Sequence, residues 1–204
     1  MNVTFLHGLG QTSESWLKTT AHLPETIGAE CYNLFQFRGE ISYPNLYHAF
    51  EQSCGTRAVH LCGLSLGAVV ALNFAVGHRQ QVESLVLIAP QYKMPRFLLG
   101  IQNFIFRFLP DKAFSETGLA KRDILRLTAS MAALDFRQEL KRISCPVLIV
   151  CGEKDRANRK AACVLADKIP GAKLQILDGA GHEVNKDSSA ELAALLSSFY
   201  ETVL

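Results

Sequence analysis

Stretches dominated by apolar residues recur along the chain and give the first indication of its fold. They cover residues 3–6, 29–37, 58–62, 85–89, 147–151 and 174–177, and glycine, proline or aspartate bounds most of them. Strands that are apolar on both faces, with helix-length segments between them, are typical of a parallel sheet covered on both sides. The pattern predicts an α/β architecture: a doubly wound, mostly parallel sheet of about six strands with helices on both faces.

Two of the intervening segments have clear helical patterns. Residues 66–76 are apolar nearly all round, which predicts a buried helix, and Gly77 is suited to its C-terminal cap. In 189–203 the apolar residues recur at the spacing of an amphipathic helix. We expect that helix to close the chain against the sheet.

Residues 91–134 interrupt the alternation of strands and helices. This stretch has no convincing strand, yet it is rich in phenylalanine, leucine and isoleucine with polar residues interspersed. We expect short helices here, inserted as a lid between two strands. Because no repeat or low-complexity linker divides the chain, 1–204 is predicted to be a single domain with 91–134 as its lid.

Composition narrows the classes of partner. The 204 residues are 49% hydrophobic and 20% charged, with a formal net charge of +2, which is typical of a globular domain and gives no reason to expect nucleic acid. The most apolar stretch, 96–109, is interrupted by Gln102, Asn103 and Arg107 and is too short to cross a bilayer. We therefore expect no membrane span.

The six cysteines are scattered, without a CxxC pair or a cysteine-histidine cluster at zinc spacing. Cys62 and Cys151 fall within predicted buried strands, where a reduced thiol packs as a small apolar residue. The residues after Met1 have no signal-peptide pattern. These features together predict a cytoplasmic protein without a metal site.

Candidate chemistry begins at Gly63-Leu64-Ser65-Leu66-Gly67, a GxSxG pattern between a predicted strand and a predicted helix. A serine in such a sharp turn presents its hydroxyl at the tip, while the flanking glycines let helix and strand approach closely. Ser65 is therefore the candidate nucleophile.

A serine nucleophile needs a histidine base and a carboxylate, both beyond the carboxyl ends of the strands. His182 follows the last predicted strand in Asp178-Gly179-Ala180-Gly181-His182 and is the candidate base. Asp155, in Gly152-Glu153-Lys154-Asp155, is the favoured carboxylate, with Glu153 and Asp178 as rivals. The order serine, aspartate, histidine is the order of nucleophile-elbow enzymes.

Two backbone N–H groups are candidates for stabilising an oxyanion. One belongs to Leu66, directly after the nucleophile. The other belongs to Leu9, because Gly8 and Gly10 in His7-Gly8-Leu9-Gly10 permit a turn after the first predicted strand.

Together these motifs, with Trp16 soon after His7-Gly8, resemble the α/β-hydrolase family over nearly the whole chain. The family usually has an antiparallel strand pair before the first strand seen here, so this chain resembles a compact member. The resemblance implies that Ser65 attacks an ester or thioester of a small, largely apolar substrate and forms an acyl-enzyme, with no metal or organic cofactor.

Two alternatives remain open at this stage. Arg96, Arg107, Lys121 and Arg122 in the predicted lid could receive a carboxylate, which would suit a carbon-carbon hydrolase or a lyase of a small carboxylated metabolite. Some proteins that resemble this fold are instead non-catalytic small-molecule receptors.

Overall fold

The computed structural model describes residues 1–94, 110, 112 and 119–203. Its six strands lie in one sheet, and all neighbouring strands are parallel in the order β2-β1-β3-β4-β5-β6. The strands are β1 (Asn2–Leu6), β2 (Gly28–Tyr32), β3 (Val59–Leu64), β4 (Val82–Ile88), β5 (Val147–Gly152) and β6 (Lys173–Leu177). The predicted parallel sheet of six strands is confirmed.

One strand is shorter than its apolar run predicts. β2 ends at Tyr32, although apolar residues continue to Phe37. The cause is Asn33, whose side-chain oxygen accepts a hydrogen bond from Phe35 N–H at 3.1 Å while its carbonyl accepts one from Gln36 N–H at 3.2 Å. An asparagine that bonds to the backbone two residues on forms a turn, which ends the strand.

Helices cover both faces of the sheet. In chain order, the described helices are α1 (Leu17–Thr20), α2 (Tyr43–Cys54), α3 (Leu66–Gly77), α4 (Lys121–Met131), α5 (Arg156–Lys168), α6 (Val184–Asp187) and α7 (Ser189–Glu201), with short 3-10 turns at Ser13–Trp16 and Leu140–Arg142. The helix predicted to be buried is α3, and all but three of its twelve residues are buried. The predicted closing helix is α7.

Two hydrophobic clusters lie on opposite faces of the sheet. On one face, α2, α3, α4 and α5 pack over side chains such as Leu61, Leu85 and Ile149. On the other face, Trp16 and the α7 residues Leu192, Leu196 and Phe199 are among those packed over alternate strand positions. Because every central strand is apolar on both faces, it contributes to both clusters, as the doubly wound arrangement requires.

Most of the predicted lid lies outside the described residues, including Arg96 and Arg107. Its described C-terminal part contains α4, and its two ends are joined by an antiparallel bridge between Lys93 and Asp135. Tyr43 N–H donates to Ser130 Oγ at 2.8 Å, which fixes α4 against the start of α2. This packing places α4 above the carboxyl ends of the strands.

Buried cysteines behave as the sequence indicates. Cys62 and Cys151 lie in β3 and β5 with no exposed surface, and all six thiols are free. Burial raises the pKa of the Cys62 thiol well above its ordinary value. None of the helices in the described part of the chain has the length and apolar character needed to cross a membrane.

Candidate active site

Ser65 sits at the sharp turn between β3 and α3. Its backbone has φ 54° and ψ −109°, a conformation that residues with a side chain rarely adopt. The turn is fixed by a hydrogen bond from Ser65 N–H to the Ile88 carbonyl at 2.9 Å and by one from Val69 N–H to the Ser65 carbonyl at 3.0 Å. Such strain typically costs about 1–3 kcal/mol and persists only where the surroundings impose it.

The glycines of the GxSxG pattern are required by close backbone contacts. A Cβ on Gly63 would overlap the carbonyl group of Gly67, and one on Gly67 would overlap the carbonyl group of Leu6 in β1. α3 can therefore begin directly against the sheet only if both positions lack a side chain. This contact aims the Ser65 hydroxyl away from the sheet.

The structure brings the three predicted side chains into one hydrogen-bonded line. His182 Nε2 lies 3.0 Å from Ser65 Oγ, and His182 Nδ1 lies 2.8 Å from Asp155 Oδ2. Asp155 is buried, whereas His182 is partly exposed. Because a carboxylate only accepts, Nδ1 carries the proton of the neutral imidazole and Nε2 is free to accept from the serine hydroxyl.

Asp155 and His182 change each other's pKa. Burial alone would raise the pKa of Asp155, but hydrogen bonds from His182 and Asn158 outweigh it, so that the pKa lies below its usual value. The hydrogen bond to Asp155 raises the pKa of His182 above its ordinary value, against the opposing effect of burial. The site thus keeps a carboxylate beside an imidazole of increased basicity.

Neither rival carboxylate, Glu153 or Asp178, is hydrogen-bonded to His182, and Glu153 and a further carboxylate, Asp187, instead hold its loop. Glu153 Oε2 accepts from Gly179 N–H at 2.9 Å, and Asp187 Oδ2 accepts from Gly181 N–H at 2.8 Å, so both hold the loop that carries His182. Asp178 is exposed at the start of that loop. Of the three predicted candidates, Asp155 alone is hydrogen-bonded to His182.

His7 is structural. It is fully buried, its Nε2 accepts from Leu34 N–H at 3.0 Å, and its Nδ1 lies 2.9 Å from the Gly8 carbonyl. Burial lowers its pKa, so that the ring stays neutral with its proton on Nδ1. It fixes the start of the loop that contains Leu9.

The two predicted oxyanion donors border the same pocket as Ser65 and His182. Leu66 is the first residue of α3, so no helical carbonyl lies in position to accept from its N–H. Leu9 lies in a turn closed by Gln11 N–H and the Gly8 carbonyl at 3.2 Å, with Gly10 at φ 81°. Neither N–H has an acceptor within the described parts of the chain.

The pocket above Ser65 has a volume of about 350 Å³ and is mainly apolar. Met94 and the α4 residues Thr128 and Met131, all from the predicted lid, line the pocket with Ser65 and His182. No lysine or arginine is among the residues that line it in the described structure. The full described lining is Leu9, Ser65, Leu66, Val69, Ala89, Gln91, Met94, Thr128, Met131 and His182.

The sequence did not indicate Asn158, which is buried beside Asp155. Its Nδ2 lies 3.0 and 2.9 Å from the two carboxylate oxygens of Asp155, and its backbone N–H lies 3.3 Å from Oδ1. Asp155 is the N-cap of α5, and this spacing places Asn158 directly over the cap. A carboxylate followed three residues later by an amide at a helix start was the available signal.

A second missed feature joins the Leu9 loop to the His182 loop. Gln11 Nε2 donates to Glu183 Oε1 at 2.7 Å and to Asn185 Oδ1 at 3.2 Å, and Gln11 Oε1 accepts from Asn185 Nδ2 at 3.2 Å and from Gly8 N–H at 3.4 Å. Gln11 and Asn185 are both buried. The loop with a predicted oxyanion donor is therefore tied directly to the loop with the predicted base.

Comparison with known proteins shows which family this chain resembles. The model of the alpha/beta hydrolase family matches residues 5–195. Monoacylglycerol lipase abhd6-A of Xenopus laevis is 21% identical over 258 aligned positions, which cover 99% of this chain and 76% of the lipase. Pimeloyl-(acyl-carrier protein) methyl ester esterase of Aeromonas hydrophila is 27% identical over 223 positions, covering 89% of this chain and 88% of the esterase.

The fold also matches solved structures. A hydrolase from Pseudomonas aeruginosa superimposes with a TM-score of 0.84 at 19% sequence identity, covering 98% of this chain and 89% of the hydrolase.

Proposed function

The chain belongs to the alpha/beta hydrolase family, and we propose that it is a serine hydrolase that cleaves a carboxylic ester or thioester of a small, largely apolar substrate. The observation that carries this proposal is the continuous line from Ser65 Oγ to His182 to Asp155, with spacings of 3.0 and 2.8 Å, at the floor of an apolar pocket. To attack a carbonyl, a serine needs to give its proton to a histidine that a carboxylate orients, and this line provides that arrangement.

In the proposed first half-reaction, Ser65 Oγ attacks the carbonyl carbon while His182 Nε2 takes the hydroxyl proton. The tetrahedral oxyanion accepts hydrogen bonds from the N–H groups of Leu9 and Leu66. The intermediate then collapses, and the bond to the leaving oxygen or sulfur breaks. His182 returns its proton to the departing alcohol or thiol, which leaves an acyl group on Ser65.

In the second half-reaction, water attacks the acyl-enzyme. His182 accepts a proton from the water, the carbonyl passes again through an oxyanion, and the Ser65 oxygen leaves with the proton from His182. The products are a carboxylic acid and the regenerated serine. Asp155 remains ionised throughout, which agrees with its lowered pKa, and it holds the imidazole in the required tautomer.

The pocket supports an uncharged substrate. Leu66, Val69, Met94 and Met131 supply apolar surface, and the described lining contains no lysine or arginine that could pair with a substrate carboxylate. Lys121 and Arg122 of α4 are not among the lining residues, and Arg96 and Arg107 lie outside the described residues. The relatives named as a monoacylglycerol lipase and a methyl ester esterase act on esters by those names, which supports the same substrate class.

The test is labelling with a fluorophosphonate probe followed by peptide mapping, together with hydrolysis of p-nitrophenyl esters of increasing acyl length. We expect the probe on Ser65 and turnover that Ser65→Ala abolishes while the circular dichroism spectrum is retained. Labelling at another residue would refute the site. A folded wild-type protein that binds small esters but neither reacts with the probe nor turns them over would favour the receptor alternative.

A further inference from the structure

A chain of side-chain amides leads from Asp155 to the substrate pocket. A carboxylate only accepts hydrogen bonds, so the Asn158 amide must present its nitrogen to Asp155, at 2.9 and 3.0 Å from the two oxygens. Asn158 Oδ1 therefore points away from the carboxylate as an acceptor. The charge on Asp155 thus fixes the orientation of this amide.

Gln91 is the next member of the chain. Its Nε2 lies 2.7 Å from Asn158 Oδ1, so it must donate there, and its Nε2 also reaches the Ala157 carbonyl at 3.5 Å. Gln91 follows β4 and lines the pocket with Ser65 and His182. With its nitrogen engaged, the amide leaves Oε1 without a partner among the residues that the structure describes.

The other polar side chains of the described lining have assigned hydrogen-bonding roles. Ser65 and His182 are the proposed reacting groups. Thr128 turns its hydroxyl to the carbonyls of Ile124 and Leu125 in its own helix, at 2.8 and 3.2 Å. Among the described residues, Gln91 Oε1 is therefore an acceptor without a hydrogen-bond partner, which a bound substrate can engage without breaking an existing bond.

We propose that Gln91 Oε1 accepts a hydrogen bond from a hydroxyl or amide N–H on the leaving group of the substrate, and that the enzyme thereby selects esters whose alcohol portion carries such a donor. This inference rests on the proposed ester hydrolysis. The leaving group must pass close to His182, which protonates it, and Asn158 connects Gln91 to that side of the site, with Nδ2 only 3.1 Å from His182 Nδ1. Gln91 is thus placed to contact the alcohol portion.

The fixed amide distinguishes donors from acceptors. A free glutamine could rotate and offer its NH₂ group to an ether or carboxylate, but rotation here would set Gln91 Oε1 against Asn158 Oδ1. Two facing oxygens without a proton between them repel each other. The site therefore favours a donor on the substrate and disfavours an acceptor or an anion at the same place.

The test compares two esters of one acid with leaving groups of nearly equal size, 2-hydroxyethyl butanoate and propyl butanoate. The ratio of their kcat/KM values is measured for the wild type, for Gln91→Met and for the smaller variant Gln91→Ala. Gln80→Met serves as a matched control, because Gln80 is exposed after the far end of α3. The ratio cancels any general disturbance of the triad, which affects both esters alike.

We expect the wild type to favour the hydroxyethyl ester by about threefold to tenfold more than either Gln91 variant does, the range that one hydrogen bond supplies. Gln80→Met should keep the wild-type ratio. Equal ratios in the wild type and both Gln91 variants, with both esters hydrolysed, would overturn the inference about Gln91. Failure of the wild type to hydrolyse either ester or to be labelled at Ser65 would instead overturn the proposed function.

Discussion

Ser65 combines a strained backbone with the proposed nucleophile. Its φ of 54° is imposed by the contact between α3 and β1 and by its hydrogen bond to Ile88. Glycine adopts such angles without steric cost, whereas alanine has the same Cβ as serine. The backbone strain therefore arises from the Cβ of the same side chain that the proposed reaction needs as its nucleophile.

This predicts opposite effects of Ser65→Gly on stability and on activity. Ser65→Gly should raise the free energy of unfolding by about 1 kcal/mol relative to Ser65→Ala, because it relieves the strain, while both variants lose turnover. Urea unfolding of the two variants measures the difference. A Ser65→Gly variant that is less stable than Ser65→Ala would show that the turn is not strained by its Cβ.

Asp155 and His182 determine how activity depends on pH. The proposed base must be neutral, and Asp155 raises its pKa, so kcat/KM should fall as the pH decreases through a value above the ordinary histidine pKa of 6.5. Asp155→Asn removes the cause of that shift. The acidic limb should then move to lower pH, and kcat should decrease by about 10⁴-fold because the imidazole loses its tautomer. The measurement is a pH profile of kcat/KM for each protein, and an unshifted limb would argue against the pairing.

At the scale of elements, the start of α3 shows what the close approach of helix and strand requires. Gly67→Ala would force a Cβ into the Leu6 carbonyl, and relaxation must separate α3 from β1. We expect a loss of at least about 2 kcal/mol in the free energy of unfolding, since packed interiors accommodate added volume poorly.

The matched control for Gly67→Ala lies in the same helix. A Cβ at Gly77 would meet only the Tyr47 hydroxyl at 3.5 Å, and alanine is a better helix former than glycine. Gly77→Ala should leave stability unchanged or raise it by up to about 1 kcal/mol. Thermal unfolding measures the change in stability that each of the two variants causes. Equal changes would mean that the close contact at Gly67 does not require glycine.

The elements were largely predictable from sequence, for identifiable reasons. A strand that is buried on both faces is continuously apolar, so the run at 147–151 located β5 within a residue. The run at 174–177 located β6 equally well, although β6 is a partly exposed edge strand and Gln175 interrupts its apolar residues. The meeting of Ser65, Asp155 and His182 could be predicted because parallel strands bring the residues that follow them to one edge of the sheet. The end of β2 was not predicted, because the turn at Asn33 depends on a side-chain hydrogen bond that the pattern of hydrophobic residues does not indicate.

The amides around the site were unpredictable for a related reason. Gln11, Gln91 and Asn185 have no charge or periodicity that marks them, and their partners are set by tertiary contacts across the chain. Asn158 alone had a local signal, three residues after Asp155. The sequence therefore indicated the proposed reacting groups but not the hydrogen-bond network around them.

At the scale of the whole molecule, Gln11 and Asn185 join the two ends of the chain. They lie 174 residues apart and exchange hydrogen bonds through their amides at 3.2 Å, while Thr19 Oγ1 donates to the Asn185 carbonyl at 3.1 Å. Asn185 Nδ2 also reaches the Ser15 carbonyl at 3.1 Å. Since the pair is buried, each amide left without its partner would carry a desolvation penalty.

A double-mutant cycle of Gln11→Ala and Asn185→Ala tests this connection. Each single variant should lose about 2–3 kcal/mol in the free energy of unfolding, and the double variant should lose less than the sum by about 1–2 kcal/mol, because the second substitution removes an amide already without its partner. Urea unfolding supplies the energies. Lys186→Ala is the control: it removes the exposed partner of Glu183 and should change stability by no more than about 0.5 kcal/mol. Additive losses at Gln11 and Asn185 would mean that the two loops are held independently. Each substitution would then be expected to change kcat by the same factor whether or not the other is present.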